Sequence, residues 1–513
     1  MKNPLNAIGL RRVSVVSSLA AMAALAASCS SKTPDSGVDP SPNPSTNPTA
    51  ATGGAASSVG GSGLNTGSTL NLGGDITKSM PDGPCKDLEC AVPKCEGAAK
   101  TTITGKVYDP AGKVPLYNVL VYVPNAPVPA FTDGATCDRC GASVVNPVTS
   151  AITDETGTFV LQDAPAGTDI PIVLQVGKWR RQLKVPAVTG CADTQFNDPT
   201  IVRLPKSKAE GDIPKIAISV GGADQMECLP LRMGIDPAEF TTADGDGRIH
   251  LFLGHSNAGN GGGGGGKPVA AFDAAHNAGA PLTSSDTLWA TKESLMKYDI
   301  TILSCEGGSF ERQKPMPVRQ ALYDYESAGG RVFASHWQNI WIGGDDTNPA
   351  HGLPDWEATA TFNFGGNPSP DTLTAMIDQV NNPKGMSFAT WMTNVGGSTT
   401  PGELTVSAAR NTCTSVDPTK TEQWVYLDPA TANPPGTLTM KSAMNFQFTT
   451  PQSVPEDQRC GKVVFSDMHV SADSTSKPGT PYPGGCSPGP LTPQEKALAF
   501  MFFDIASCVG PVF

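Results

Sequence analysis

Blocks of lysine and arginine are missing from this chain of 513 residues, whose formal net charge at pH 7 is −12. Proteins that bind nucleic acids neutralise phosphate groups with clustered basic side chains, so the sequence predicts no nucleic-acid partner. An acidic excess of this size favours solubility and disfavours docking on anionic surfaces.

Long hydrophobic runs are also scarce, and the one that stands out lies near the N-terminus. Residues 13–29, VSVVSSLAAMAALAASC, follow the basic pair Arg11 and Arg12 and end in small residues before Cys29. The run is too short and too rich in Ala and Ser for a good membrane span, and it is typical of a bacterial lipoprotein signal peptide. We expect residues 1–28 to be removed and Cys29 to carry the lipid. Ordinary secretory cleavage is the alternative.

The residue after the expected lipid site favours one compartment. Ser30 follows Cys29, whereas an aspartate in that place favours inner-membrane retention in enteric-type sorting. By that analogy we expect the outer membrane of a bacterial cell envelope. The lipid is the expected membrane anchor, because no second apolar stretch approaches the length of a membrane span.

Aromatic residues are absent from the beginning of the chain, where the first is Tyr108. Residues 29–84 consist mainly of Ser, Pro, Thr, Gly and Asn. Such a segment buries too little apolar surface to offset the entropy of ordering, so it is predicted to be a disordered tether. A flexible tether of about 55 residues reaches roughly 40 Å.

The chain has 13 cysteines, and setting Cys29 aside leaves an even number, which predicts disulfide bonds in an exported protein. The cysteines fall into two groups of equal size, so we expect each region to close its own bridges. They are Cys85, Cys90, Cys95, Cys137, Cys140 and Cys191 in the first group and Cys228, Cys305, Cys413, Cys460, Cys486 and Cys508 in the second.

Residues 85–205 are predicted to form a β-sandwich. Residues 102–107 alternate polar and apolar side chains, a turn follows at 109–112, and 119–123 is a second apolar run. Short β-runs at regular spacing, separated by turn residues, are typical of sandwich domains. The segments ITGKVYDPAGKVPLYNVLVYV and TDETGTFVLQDAPAG resemble the carboxypeptidase regulatory-like (transthyretin-like) domain family. This resemblance implies a seven-stranded sandwich that is structural or binds ligands such as glycans, without catalytic residues.

From residue 206 to residue 513 strands and helices alternate, which predicts a parallel sheet covered on both faces. Strand patterns lie at residues 215–220, 248–253, 299–305, 331–336, 424–428 and 462–466, and helical patterns lie at 286–297 and 317–328. A last helix is expected to begin with a capping box formed by Thr492 and Glu495, with Pro493 as its first residue.

Three segments, KYDITILSCEGG, ALYDYESAGGRVFASHW and GKVVFSDMHVS, resemble the class I glutamine amidotransferase-like superfamily, including its trehalose-utilisation-type branch. The resemblance implies a flavodoxin-like fold. Amidotransferases carry Gly-x-Cys-x-Gly and a later His-x-Glu, whereas here Cys305 lies in LSCEG and His469 is followed by Val470 and Ser471. Glutamine amidotransfer is therefore not predicted.

Candidate catalytic residues follow the predicted strands, because sites in open α/β sheets lie beyond the carboxyl ends of the strands. Cys305 and His336 end neighbouring strands, and His469 closely follows a later one. One interpretation is a Cys305 nucleophile with either histidine as its base. The other, which the even cysteine count favours, is a disulfide-bonded Cys305, with Cys228 as a candidate partner.

A second candidate site is aromatic. Trp337, Trp341 and Trp356 lie within 20 residues of one another, together with Asp345 and Asp346. Aromatic rings and carboxylates on one loop are typical of sugar binding, so these residues form a candidate ligand site. The alternative is that the rings pack beneath the loop.

The sequence predicts neither a metal site nor a cofactor. Spacings such as His-Glu-x-x-His are absent, and Cys137-x-x-Cys140 has no tandem partner, so a disulfide is expected there, to Cys95 or Cys191. The glycine run at 259–266 lacks the Lys-Ser/Thr of a phosphate loop.

Two functions remain open from the sequence. The favoured one is a non-catalytic binding or structural module of the cell envelope, with the membrane as partner through the lipid and glycans as candidate ligands. The alternative is a Cys-His-dependent hydrolase of the amidotransferase-like superfamily.

Overall fold

The first sheets of the protein are formed by residues 102–196. Its computed structural model describes residues 84–138, 144, 146–256, 266–343, 352–363, 372–431, 438, 440–470 and 477–509. The predicted signal peptide, the lipid site Cys29 and residues 29–83 of the predicted tether lie outside this range. None of the helices in the described ranges is long and apolar enough to cross a membrane.

The strands of this first region are β1 (Thr102–Lys106), β2 (Leu120–Pro124), β3 (Pro147–Ile152), β4 (Thr158–Gln162), β5 (Gly167–Val176), β6 (Trp179–Val188) and β7 (Asp193–Phe196). They form two sheets, of order β4-β1-β7 and β3-β2-β5-β6. Ile103 and Phe159 of one sheet and Val121 and Ile172 of the other belong to one hydrophobic cluster. Alternating burial along β1 and β4 agrees with the period-2 pattern in the sequence.

The later strands are β8 (Ile216–Val220), β9 (Phe240–Thr241), β10 (Ile249–Leu253), β11 (Thr283–Ser284), β12 (Ile300–Leu303), β13 (Arg331–Ser335), β14 (Ala360–Phe362), β15 (Thr372–Ile377), β16 (Glu403–Ser407), β17 (Cys413–Val416), β18 (Glu422–Leu427), β19 (Ser442–Thr450) and β20 (Gly461–Ser466). Most of them form one sheet of order β11-β10-β8-β12-β13-β20-β19-β18-β15-β16, in which β9 also pairs with β10. Strands β14 and β17 pair with each other.

The central part of this sheet is parallel, as predicted. Strands β10, β8, β12, β13 and β20 are neighbours in that order, and each pair runs in the same direction. Strands β8, β12, β13 and β20 are buried at every residue. Continuous burial is typical of parallel strands that are covered on both faces, and it explains why their sequences are mainly apolar.

The predicted parallel sheet accounts for only part of the strands, because the other half of the sheet is antiparallel. Strand β19 pairs with β20 in the opposite direction, and β18, β15 and β16 continue this arrangement. Strands β15 and β16 alternate between buried and more exposed residues. That pattern is typical of antiparallel strands with one solvated face.

Helices cover both faces of the parallel strands. They are α1 (Cys228–Arg232), α2 (Lys292–Leu295), α3 (Met316–Ser327), α4 (Ile340–Gly343), α5 (Pro354–Glu357), α6 (Gly385–Asn394) and α7 (Pro493–Ala506). Side chains of α3 pack with Val332 of β13 in one cluster, whereas those of α7 pack with its neighbour Phe333 in another. Adjacent residues of one strand therefore face two separate cores.

Two helix predictions have different outcomes. The capping box of α7 is confirmed, because the Thr492 hydroxyl accepts from the Glu495 backbone N–H and the Glu495 carboxylate accepts from the Thr492 N–H. The helix predicted over residues 286–297 is wrong in length, since only Lys292–Leu295 is α-helical. Thr291 caps that short helix by accepting from the Ser294 N–H, which fixes its start.

Polar and aromatic contacts join the first region to the later one. The Lys178 ammonium donates to the Asp299 carboxylate at 2.6 Å, and Trp179 packs edge-on against Phe502 and Phe503 of α7. Both regions belong to one compact unit.

The disulfides correct the expectation that each region closes its own bridges. The described pairs are Cys85–Cys90, Cys95–Cys191, Cys137–Cys460 and Cys228–Cys486, and Cys508 is also disulfide-bonded. Cys137–Cys460 links the two regions over 323 residues of sequence. The expected pairing of Cys305 with Cys228 and that of Cys137 with Cys95 or Cys191 are wrong. Cys305 and Cys413 are free cysteines.

Candidate functional site

The candidate catalytic residues lie together at the carboxyl ends of three adjacent parallel strands. Cys305 comes two residues after β12, His336 directly follows β13, and His469 comes three residues after β20. Strand β13 pairs with β12 on one side and with β20 on the other, in the same direction. The topology therefore brings together residues that are far apart in the sequence.

The three side chains form one cluster, called here the Cys-His-His cluster. The Cys305 sulfur lies 3.2 Å from His336 Nδ1. The rings of His336 and His469 are 5.2 Å apart between centroids. One possible ligand atom from each of the three residues lies within 4.8 Å of the other two. The cluster thus has the geometry of a thiol–imidazole pair with a second imidazole beside it.

Burial decides the protonation of the cluster. Cys305, His336 and His469 are 0%, 6% and 3% exposed. Burial raises the pKa of the Cys305 thiol to about 12, although backbone hydrogen bonds from Trp337 and Gly307 act to lower it. Burial lowers the pKa of His469 to about 3 and that of His336 well below its ordinary value. Without a further charge, the thiol is protonated and both imidazoles are neutral at pH 7.

The two histidines have unusual surroundings. His336 adopts a left-handed backbone conformation with φ of 45°. Such conformations are unfavourable for residues other than glycine and are concentrated at functional sites. His469 Nε2 is buried and has no hydrogen-bond partner among the described residues. A buried nitrogen without a partner is destabilising, which makes this atom a candidate for ligand binding.

Asp224 connects the segments that carry the cluster. Its carboxylate accepts from the Ser335 hydroxyl at 2.6 Å and from the Val470 backbone N–H at 2.8 Å. Ser335 precedes His336 and Val470 follows His469, so one carboxylate fixes both histidine-bearing segments. The Asp224 N–H also donates to the Cys305 carbonyl at 3.2 Å.

A second buried network begins at the residue after Cys305. The Glu306 carboxylate accepts from Lys314 Nζ at 2.5 Å and from the His255 backbone N–H at 2.8 Å. His255 Nε2 lies 3.1 Å from the Asp286 carboxylate. Burial acts to raise the pKa of Glu306, but Lys314 and His255 outweigh it and lower that pKa to about 2. This buried pair anchors the chain next to the cluster, because Lys314 Nζ also donates to the Ser309 carbonyl at 2.8 Å.

The predicted aromatic ligand site is corrected by the structure. Trp341 and Trp356 are each 1% exposed. Their indole N–H groups donate to Gln338 and Thr450, so these rings are core residues without a free face. Trp337 is partly buried against the same core. The acidic members of the prediction, Asp345 and Asp346, lie outside the described residues.

Two elements of the site were missed by the sequence analysis, namely Asp224 and the Glu306–Lys314 pair. A signal for Asp224 was present, since this acidic residue follows the buried strand β8 at the same sheet edge as the candidate residues. Glu306 directly follows Cys305 and gave a similar signal. Their partners are not readable from the sequence.

Comparisons with known proteins assign no family. No protein-family model and no curated protein matches the chain. Among solved structures it is similar to a ThuA-like protein from Bacteroides uniformis ATCC 8492, with 14% identity and a TM-score of 0.23 over 37% of this chain and 68% of that one.

Two further structures are mutants of a type II cohesin–X-dockerin complex from Acetivibrio cellulolyticus. One has 17% identity and a TM-score of 0.13, over 29% of this chain and 79% of that one. The other has 16% identity and a TM-score of 0.15, over 26% and 85%. All three likenesses are too distant to assign a fold or a function.

Proposed function

We propose that this protein is a hydrolase of the bacterial cell envelope and that the Cys-His-His cluster is its reaction centre. The observation that carries the proposal is the distance of 3.2 Å between the free Cys305 sulfur and His336 Nδ1. Many enzymes place a nucleophile within hydrogen-bond reach of a base. In open α/β sheets such sites lie beyond the carboxyl ends of the parallel strands.

This proposal replaces the non-catalytic binding module that the sequence favoured. That module required a bridged Cys305 and exposed tryptophan rings. Cys305 is free, and Trp341 and Trp356 are buried. For the sandwich region we propose the role expected from the sequence, a spacer or a glycan contact.

The strand order supports a flavodoxin-like assignment for the parallel part of the sheet. The parallel strands are β8, β10, β12, β13 and β20. When they are numbered 1 to 5 along the chain, their order across the sheet is 2-1-3-4-5. In sheets of this order, ligands bind at the carboxyl edge where the chain changes direction, between the first and third strands. Cys305 follows the third of these strands, so the cluster borders the expected binding crevice.

The envelope location rests on the N-terminal motif and has a direct test. We expect the chain to be labelled with fatty acid and to sediment with the outer membrane in the organism that produces it. A Cys29→Ser variant should lose both the label and the membrane association, because the acceptor thiol is gone. Soluble wild-type protein with a free Cys29, or a labelled Cys29→Ser variant, would contradict the assignment.

The hydrolytic activity is tested with two matched cysteine variants. Cys305 and Cys413 are both buried and free, but only Cys305 lies in the cluster. On a panel of chromogenic esters, anilides and glycosides, Cys305→Ser should lower the turnover of any accepted substrate by at least about 100-fold. Cys413→Ser should keep the wild-type rate. Equal rates for Cys305→Ser and the wild type would refute the proposed reaction centre.

A further inference from the structure

We propose that Cys305, His336 and His469 bind one Zn²⁺ ion, with the sulfur of the cysteine and one nitrogen of each imidazole as ligands. The assignment of this ion to a catalytic role rests on the proposed function, whereas the binding site itself rests on the geometry of the cluster. It reverses the absence of a metal site expected from the sequence.

The donor set fits zinc. Thiolate sulfur and imidazole nitrogen are the ligands that Zn²⁺ prefers in proteins, with Zn–S of about 2.3 Å and Zn–N of about 2.0–2.1 Å. In a tetrahedral site such bonds place the ligand atoms roughly 3.3–3.6 Å apart. The Cys305 sulfur and His336 Nδ1 are already 3.2 Å apart. One ligand atom from each of the three residues lies within 4.8 Å of the other two. Small side-chain movements therefore complete the site.

An independent observation points to a ligand at the same place. His469 Nε2 is buried and has no hydrogen-bond partner among the described residues. A protein gains nothing by burying an unpaired nitrogen, whereas a metal ion in the cluster gives it a bond.

The chain holds the three ligands in place through its backbone. Each ligand lies at or just beyond the end of a parallel strand, and the Asp224 carboxylate fixes the segments of both histidines. Preorganised ligands of this kind lose little entropy when the metal binds. The sequence spacing of the ligands shows no zinc motif because three separate strands supply them.

The ion also supplies the charge that the buried thiol lacks. When Zn²⁺ binds, the Cys305 sulfur forms a bond to the metal and its proton leaves to solvent, so that the thiolate is stabilised by the metal. Three protein ligands leave the fourth tetrahedral position open for water or substrate, which is the arrangement of catalytic rather than structural zinc sites. A zinc-bound water, rather than the thiolate, is then the expected nucleophile of the proposed hydrolase.

The first test measures the metal. The full chain is purified in mild detergent without chelators, its metal content is determined by mass spectrometry, and the stripped protein is reloaded with Zn²⁺ alone or Co²⁺ alone. We expect one zinc ion per chain. The Co²⁺ form should show the strong d–d bands of tetrahedral cobalt together with a sulfur-to-cobalt charge-transfer band.

Matched variants locate the ion. Cys305→Ser should abolish the charge-transfer band, and His336→Gln and His469→Gln should lower zinc content at least ten-fold. Cys413→Ser and His250→Gln should bind zinc as the wild type does, since His250 is buried but bonded to Tyr298 and Gly247 outside the cluster. Near-ultraviolet circular dichroism verifies the fold of each variant. The Co²⁺ spectrum of the wild type tests the site even if a variant does not fold.

The outcomes separate this proposal from the proposed function. The zinc site is overturned if the folded wild-type chain takes up neither Zn²⁺ nor Co²⁺. It is also overturned if the isolated protein contains copper instead of zinc, or if Cys305→Ser keeps its full zinc content. Hydrolysis by metal-free protein overturns the catalytic role of the ion and supports the hydrolase, and the metal content alone decides the binding site. Stoichiometric zinc without hydrolysis of the panel supports the metal and counts against the hydrolase.

Discussion

Replacing Asp504 by alanine is expected to lower the free energy of unfolding by about 3–5 kcal/mol, because it removes the carboxylate that contacts two buried ammonium groups. The Asp504 carboxylate on α7 accepts from Lys384 Nζ at 2.6 Å and lies 3.3 Å from Lys462 Nζ. All three residues are buried. Removing one member of a buried ion network costs far more than the network contributes, since the remaining charges stay desolvated.

Urea unfolding followed by circular dichroism measures this loss. Asp246→Ala is the control, because it removes an exposed ion pair with Lys208 and should leave the unfolding midpoint unchanged. An Asp504→Ala variant as stable as the wild type would show that the two lysines do not depend on this carboxylate.

The wild type and Asp504→Ala should differ less in their free energy of unfolding at acidic pH. Burial acts to raise the pKa of Asp504, but Lys384 and Lys462 outweigh it and hold that pKa below its ordinary range. A carboxyl group whose pKa is depressed by folding stabilises the protein above its unfolded pKa of about 3.9, and this contribution is lost as the pH falls through the folded pKa. The stability difference between wild type and Asp504→Ala is therefore expected to be constant from pH 5 to 7 and to shrink well below pH 4.

Replacing Asp224 by alanine is expected to weaken zinc binding by about 10–100-fold, the usual effect of removing a group that orients metal ligands. Its carboxylate joins Ser335, which precedes His336, to Val470, which follows His469. Without it the two segments that carry the imidazoles lose their common anchor. Asp224 is thus a positioning residue and not a ligand.

Competition with a chromogenic zinc chelator measures this affinity. Asp224→Asn keeps an oxygen that accepts from the Val470 N–H, so we expect it to restore part of the affinity. Thermal unfolding of the metal-free proteins is measured in parallel, to separate positioning from general stability. Unchanged zinc affinity in a folded Asp224→Ala protein would contradict the positioning role.

The parallel half of the fold was predictable because its strands are buried on both faces. Strands β8, β12 and β13 read as short apolar runs for that reason. The antiparallel half was not, since β15 and β16 are half buried and show only weak alternation over a few residues. The pairing of β15 with β16 joins segments about 30 residues apart, and the local sequence pattern of either strand does not predict it.

The site was predictable only in part. Strand ends pointed to Cys305, His336 and His469, because parallel strands finish at one edge of a sheet. The role of Asp224 was hidden, since its partner Val470 lies 246 residues away. The even number of cysteines was misleading, because an even count fits two free thiols as well as one more disulfide. Burial of Trp341 likewise depends on packing that spacing does not reveal.

An anomalous difference map from crystals of the full chain, recorded on both sides of the zinc absorption edge, tests the reaction centre most directly. We expect one peak that appears only above the edge, about 2.3 Å from the Cys305 sulfur and about 2.0–2.1 Å from a nitrogen of His336 and of His469. A Cys305 sulfur without a metal neighbour in zinc-reloaded crystals, or one bonded to a second cysteine, would contradict the account.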